Sequence, residues 1–287
     1  LYHTHIKKRV GIIIKLDFEK AYDKVNWDFL LKCLGIRGFG KIWCGWMKKI
    51  LHNGTVSVKL NNTSGPYFQS HKGVRQGDPV SPFLFNIAVE CLCKMVLQAQ
   101  ANGLIDGLAL DLVDKGVAIL QYADDTILCI EHNPEKALTL KLLLYMFELM
   151  SGLKINFQKS EILSMGGDDN ILKEYADIFG CQIGHFPMKY LGVHVNYSTL
   201  KGVDWEYLEA KFVKRCESGL ESNASSGGRL TLLNANISSI AYYYMSMFLL
   251  SKTIIERLDK HRRKFFWQVT KNRKRYYLVR WSRICRS

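Results

Sequence analysis

The sequence predicts an α+β fold: an antiparallel sheet with helices packed on one face, followed by a mostly helical, basic region. Three observations predict it. Two apolar, β-prone runs flank the acidic pair Asp124-Asp125 within residues 119–130, the pattern of a hairpin with both acids at its tip. Another apolar run, Gly11-Ile12-Ile13-Ile14-Lys15-Leu16, ends at a third acid, Asp17. From Ser81-Pro82 to about Gln100 the chain is apolar on most sides of a helical wheel, so this helix belongs in a core.

Taken in order, residues 11–16 form the first strand. A helix follows from about Asp23 or Asn26 to Leu34, with Trp27, Leu30 and Leu31 buried, and ends among Gly35, Gly38 and Gly40. Lys41 to Leu51 reads as a second helix, closed by Asn53-Gly54. Thr55 to Leu60 alternates at period two and is a strand, with Asn61 to Pro66 a turn. Gly73 to Pro79 is a polar loop. Ser81 caps the long helix and Pro82 suits its first turn. After the acidic hairpin, Asn133-Pro134 opens a helix that ends near Ser151-Gly152. A second hairpin is expected from Leu153–Phe157 and Glu161–Met165, joined by Gln158-Lys159-Ser160. Gly166 to Asn170 is a surface turn in which Asp168-Asp169 is solvated. Pro187 to Val195 forms a further strand pair, the pattern turns helical from about Asp204, and Ser222 to Gly228 is a connector. Residues 1–165, 166–203 and 204–287 divide the chain into three regions.

Of 287 residues, 48% are apolar and 12% aromatic, which excludes a disordered chain. The net charge is +14, and residues 252–287 carry 13 lysines and arginines against Glu256 and Asp259. Phe265, Phe266, Trp267, Tyr276, Tyr277 and Trp281 interleave with that charge, a mixture of helix core and a surface that tracks a nucleic-acid backbone. The eight cysteines, Cys33, Cys44, Cys91, Cys93, Cys129, Cys181, Cys216 and Cys285, form no C-x-x-C pair, so no zinc site is signalled. Residues 240–250 are too short to cross a membrane, and no secretory signal is visible. The expected setting is intracellular, in nucleus or cytoplasm, with reduced thiols. The chain opens on Leu1 and enters a strand almost at once, as a piece of something longer would.

Three acids on strand ends in a basic protein suggest divalent metal held against a polyanion. Joining a nucleotide to a strand brings together an anionic triphosphate, an anionic backbone and a poor hydroxyl nucleophile. Two divalent ions activate the hydroxyl and neutralise the leaving pyrophosphate. Magnesium takes oxygen ligands and keeps water and substrate phosphates as the remainder, so two or three carboxylates on rigid elements suffice. Asp17, Asp124 and Asp125 supply them if the two strands lie side by side. Adjacent residues on a strand face opposite ways, so both hairpin acids reach one site only where the turn bends the backbone.

The motifs around these acids resemble those of reverse transcriptases of LINE-type, non-long-terminal-repeat retrotransposons, plant elements most of all. Lys15-Leu16-Asp17-Phe18-Glu19-Lys20-Ala21-Tyr22 resembles their first palm motif, Gly73-Val74-Arg75-Gln76-Gly77-Asp78-Pro79 the second, Tyr122-Ala123-Asp124-Asp125 the catalytic hairpin, and Phe186-Pro187-Met188-Lys189-Tyr190-Leu191-Gly192-Val193 the primer-contact hairpin. Their order and spacing agree over nearly the whole chain. The resemblance implies a polymerase palm with partial fingers and a basic helical thumb-like region. Partners would be an RNA template, a DNA primer and deoxynucleoside triphosphates, with two magnesium ions, or manganese in their place, as cofactors. It implies that Asp17, Asp124, Asp125 and the Phe18 carbonyl hold metal, and that Tyr22 excludes a 2′-hydroxyl. Gln76 and Gly77 would line the nucleotide pocket, Arg75 would touch template phosphate, and Lys159 would protonate the leaving pyrophosphate. Tyr190, Leu191 and Gly192 would position the primer end, and Arg229, Arg262, Arg263 and Lys264 would grip the duplex. Core or surface roles remain open for Tyr22, Arg75 and Lys159.

Only 16 residues precede Asp17, against a long fingers segment in complete relatives. That departure implies an N-terminally truncated copy with impaired catalysis. The rival readings are a non-catalytic nucleic-acid-binding remnant, an intron-maturase-like protein and a pseudogene product that folds poorly.

Overall fold

The computed structural model describes residues 10–198, 200–220, 225–270, 273–274, 279 and 281–284. Part of the Ser222–Gly228 connector, and all of Tyr276, Tyr277 and Cys285, lie outside them. The chain divides into two compact units, 1–191 with 195–198, and 192–194 with 199–287.

The first unit is built on a five-stranded sheet in the order β4-β5-β1-β6-β7. Its centre, β1 (Gly11–Leu16), has almost every position buried, as the run of isoleucines requires. It pairs antiparallel with β5 (Asp125–Glu131) on one side and β6 (Glu161–Met165) on the other. β4 (Ile119–Tyr122) closes the hairpin with β5, and β7 (Gln182–Ile183) adds a short parallel edge to β6, so the sheet is antiparallel except there.

Strand alternation sorts the side chains. Ile12, Ile14 and Leu16 of β1, with Leu128 and Ile130 of β5, face the main core. There they meet α2 (Trp27–Ile36), α4 (Ser81–Ala101), α5 (Pro134–Ser151) and α6 (Asp169–Phe179), so the helices do cover one face. Ile13, Ile127, Cys129, Leu163 and Met165 face the other way, against Met188, Phe186 and Tyr190. α4 is long and apolar enough to cross a membrane. Phe85, Ala88, Leu92 and Val96 are instead its fully buried core stripe.

Local chemistry fixes the ends. Asn26, Asn133 and Asp168 cap α2, α5 and α6 through side-chain oxygens that accept from Phe29, Lys136 and Ile171 N–H groups. Asp168 is therefore a helix cap, and α6, with Leu172, Tyr175 and Phe179 buried, begins where only a solvated turn was expected. A one-turn helix, α1 (Ala21–Lys24), joins β1 to α2. α3 (Lys41–His52) runs into β2 (Thr55–Leu60), which pairs with β3 (Thr63–Gln69). The turn expected over 61–66 is only Asn61-Asn62, both at positive φ, where asparagine is at ease. Pro66 is tolerated because, among the described residues, β3 pairs on one edge only.

The expected hairpin of 153–157 with 161–165 does not form. β6 docks on the open edge of β1 instead, and the first segment contributes a single bridge, Ile155 to Phe18. Leu153 and Ile155 are drawn into the core, and the turn is closed by Ser160 N–H donating to the Asn156 carbonyl.

The second unit packs α7 (Glu206–Leu220) on α10 (Lys252–Trp267). Leu208, Phe212 and Cys216 are buried on one, Ile254, Leu258 and Phe265 on the other. Gly219 lets them close, since an added Cβ would lie 2.9 Å from the Phe265 ring. α8 (Ser226–Leu232), a π-turn at Leu233–Ile237 and α9 (Ser238–Met245) also belong to it.

In the main core Phe147 is fully buried and meets both Phe18 and Phe29 edge-on, each at 6.4 Å between ring centres. Phe147→Ala is expected to lower unfolding stability by about 3–5 kcal/mol, read from the urea midpoint at unchanged slope.

Candidate active site

The strand that begins at Gly11 delivers Asp17 just past its last paired residue. β1 and β5 pair Leu16 with Thr126, and continuing that register by one residue sets Asp17 across from Asp125. The faces agree. Asp17 follows Ile13 and Lys15 on the side away from the helices, and Asp125 precedes Ile127 and Cys129 on the same side. Asp124 sits between Ala123 and Asp125 in a two-residue turn closed by the Tyr122–Asp125 pair. Ala123 has φ 53°, the positive value that the first position of a two-residue hairpin turn takes. All three carboxylates are exposed.

The backbone around Asp17 is held from the other side. Its N–H donates to Ser160 Oγ at 3.1 Å, its carbonyl accepts from Asn156 N–H at 2.7 Å, and Glu19 N–H donates to the Lys154 carbonyl at 2.9 Å. Ser160 is fully buried, and its hydroxyl donates in turn to the Asn156 carbonyl. With Asp17 C=O and Glu19 N–H both turned to this segment, backbone alternation turns the Phe18 carbonyl the opposite way, towards the hairpin. Sequence reading assigned Ser160 and Asn156 no role of their own.

Lys159 is exposed at the same turn. The Glu19 carboxyl is held below its usual range chiefly by a hydrogen bond from Lys24, with the charges of Lys154 and Lys159 adding to it. Lys159 therefore lies within electrostatic reach of the segment that carries Asp17.

Tyr22 is half-buried and stacks on Phe85, with ring centres 4.7 Å apart and planes 14° from parallel. Its carbonyl accepts from Val74 N–H at 2.7 Å, and the Trp27 indole donates to the Gly73 carbonyl at 2.6 Å. These bonds lay the Gly73–Pro79 loop against α1. Gly73 is required there: its φ is 84°, and a Cβ would come 2.6 Å from the Asp23 carbonyl. Gln76 and Gly77 are exposed, with Gly77 at φ 90° and open space where a side chain would be. Gln76 and Arg75 border a cavity of about 790 Å³ lined also by Asp23, Trp27, Phe68 and Leu84. The Arg75 guanidinium lies across Gly54, where an added Cβ would overlap it.

Tyr190 ends β8 (Met188–Tyr190), and β9 (Val193–Val195) follows after Leu191-Gly192. Both turn residues have positive φ, 48° and 81°, as a type I′ turn demands. Burial raises the Tyr190 phenol above its usual range, and the negative charge of Asp125 adds to it, so the phenol lies within electrostatic reach of Asp125.

In the second unit Arg263 and Lys264 are exposed on α10 and Arg262 is half-buried; Asp259 pairs with Arg262 at 3.3 Å and with Arg263 at 3.8 Å. Arg229 is only 7% exposed, an interior group of its unit rather than a surface one.

The donor set suits a hard divalent cation. Three exposed carboxylates, none held in an ion pair among the described residues, offer oxygen ligands. Among the described residues no three acidic, histidine or cysteine side chains converge on one point. Replacing Ser160 by alanine removes the acceptor of the Asp17 N–H. Ser160→Ala is expected to lower stability by about 1–3 kcal/mol in urea unfolding, without loss of α-helical circular dichroism.

Residues 2–195 match the family model described as reverse transcriptase (RNA-dependent DNA polymerase). The uncharacterized 149 kDa protein of transposon TX1 from Xenopus laevis is 26% identical over 279 residues, covering 92% of this chain and 20% of that protein. The Pol polyprotein of the type-1 retrotransposable element R2 from Popillia japonica is 27% identical over 165 residues, covering 55% of this chain and 22% of that protein. A putative ribonuclease H protein of Arabidopsis thaliana is 43% identical over 65 residues, covering 23% of this chain and 10% of that protein. The chain thus spans about a fifth of the length of the first two relatives. With more than half its length matched, the chain belongs to the reverse transcriptase family.

Proposed function

We propose that this chain is the palm and thumb-like part of an RNA-directed DNA polymerase that extends a primer 3′-hydroxyl with deoxynucleotides on an RNA template. The observation that carries the proposal is the register of β1 on β5, which sets Asp17 and Asp125 on one face with Asp124 in the adjoining turn. Asp17, Asp124, Asp125 and the Phe18 carbonyl would hold two divalent ions, magnesium foremost and manganese in its place. When bound, such ions activate a hydroxyl and neutralise a leaving pyrophosphate.

The remaining roles belong to the chain's own groups. Tyr22, fixed against Phe85, presents a rigid ring that would leave no room for a sugar 2′-hydroxyl. Gln76 and Gly77 offer a polar side chain and a bare backbone to an incoming nucleotide, with Arg75 beside them for template phosphate. Lys159 would give its proton to pyrophosphate. The tight turn at Leu191-Gly192, with Tyr190 near Asp125, would seat the primer end. Arg263 and Lys264 would contact the duplex backbone, which positions without reading sequence. The reading takes the chain to act inside the cell, in nucleus or cytoplasm. The 43% identity to an Arabidopsis protein over 65 residues supports an element of plant type.

The test is primer extension on an RNA template with magnesium and deoxynucleotides, comparing the chain with Asp17→Asn and with Asp124→Asn/Asp125→Asn. Extension by the parent and none by either variant is the expected result. Folded parent protein that binds a primer–template duplex and extends nothing leaves a binding remnant and ends the enzyme proposal. In a salt titration of duplex binding, Lys264→Ala should lower the log–log slope by about one. Arg262→Ala and Arg263→Ala should each change it less, because both guanidiniums are paired with Asp259.

A further inference from the structure

Two cysteines on packed helices open into one small surface cavity. Cys33 on α2 and Cys91 on α4 are both half-buried beside the main core. Together with Ile36, Arg37, Ile87, Glu90 and Lys94 they line a cavity of about 90 Å³. Arg37 and Glu90 form an ion pair at its wall. Both thiols line the cavity from packed helices. The neighbouring Cys33 thiol, with the charge of Lys94, holds the Cys91 thiol below its usual range although burial opposes it, and Cys91 in turn pushes Cys33 upward.

The other described cysteines differ. Cys93, Cys129, Cys181 and Cys216 are raised by burial, and Cys44 points its sulfur at the Phe39 carbonyl 3.5 Å away. A thiol that reacts needs thiolate character, a cationic neighbour and access. A disulfide needs a second thiol within reach. Cys91 has the first three and Cys33 supplies the last.

We propose that Cys33 and Cys91 are an oxidation site at which a hydroperoxide converts the two thiols into a disulfide joining α2 to α4. The Cys91 thiolate attacks the near oxygen of the hydroperoxide and the O–O bond breaks. The departing hydroxide or alkoxide takes up a proton, and Cys91, oxidised by two electrons, becomes a sulfenic acid. The Cys33 sulfur gives up its proton and attacks the Cys91 sulfur, the S–S bond forms, and the sulfenic oxygen leaves as water. Two thiols and one hydroperoxide thus give one disulfide, one water and one further water or alcohol. The bond closes a loop that contains Gly73–Pro79, so oxidation staples the two helices flanking that segment. This site is independent of the polymerase reading.

The experiment exposes the fully reduced chain to hydrogen peroxide and maps its peptides without reductant. The expected product is a Cys33–Cys91 linked peptide, with free thiols falling by two from eight and returning on reduction. In Cys33→Ser, dimedone should trap Cys91 as its sulfenic acid and no disulfide should form. In Cys91→Ser, dimedone labelling at Cys33 should be slower by about tenfold than Cys91 labelling in Cys33→Ser. A different linked pair as the main product, or oxidation of Cys91 no faster in the folded chain than in urea, overturns the proposal.

Discussion

Strand β1 is bonded along both edges, to β5 on one side and to β6 on the other, while its side chains are buried on both faces. A strand so placed has no freedom to slip, because a shift of one residue would turn every isoleucine to the wrong core. The position of Asp17 is set by that constraint before any property of its carboxylate matters. Ser160 and Asn156 extend the grip one residue past the last paired position, so the acid stands free while its backbone does not.

The rigidity of β1 also bears on the conformations beside it. Lys20, Ala123 and Leu191 are non-glycine residues with left-handed φ of 46°, 53° and 48°. One lies just after the strand, one in the acidic hairpin and one in the turn after Tyr190. Each costs on the order of 1 kcal/mol, and such residues persist where surrounding structure over-determines them. The two other segments are tied to the same sheet face: the hairpin by its ladder to β1, and Tyr190 by burial against Ile13 and Cys129. The unusual backbone is therefore offset by the most heavily bonded part of the unit.

Much of this was legible in the sequence, and the reason differs by element. The isoleucine run at 11–16, the long apolar helix and the acid-tipped hairpin each carry a strong period or a sharp break, and the observed bounds fall within a residue or two. Leu153–Phe157 misled because local alternation cannot say which partner a strand edge will find, and β1 offered a better one than the neighbouring segment. α6 was missed because Gly166-Gly167 and two aspartates read as solvent, although Asp168 is also a good helix cap. At the site, residue type pointed to the carboxylates, yet Ser160 was invisible, since a serine that accepts a backbone N–H has no pattern of its own. Arg229 and Arg262 looked like surface cations, and burial is not written in an arginine's neighbours along the chain.

The exposure of the three acids has a consequence for how such a chain can decay. Asp17, Asp124 and Asp125 lie at strand ends and in a turn, outside both apolar clusters, so the packed interior is indifferent to what they are. A copy that loses one of them keeps its core. Nothing in the fold's own energetics reports the loss, and cellular quality control, which answers to unfolding, would pass it. Chemistry and foldedness are thus inherited separately in this molecule, and a sequence can carry the second long after the first has gone.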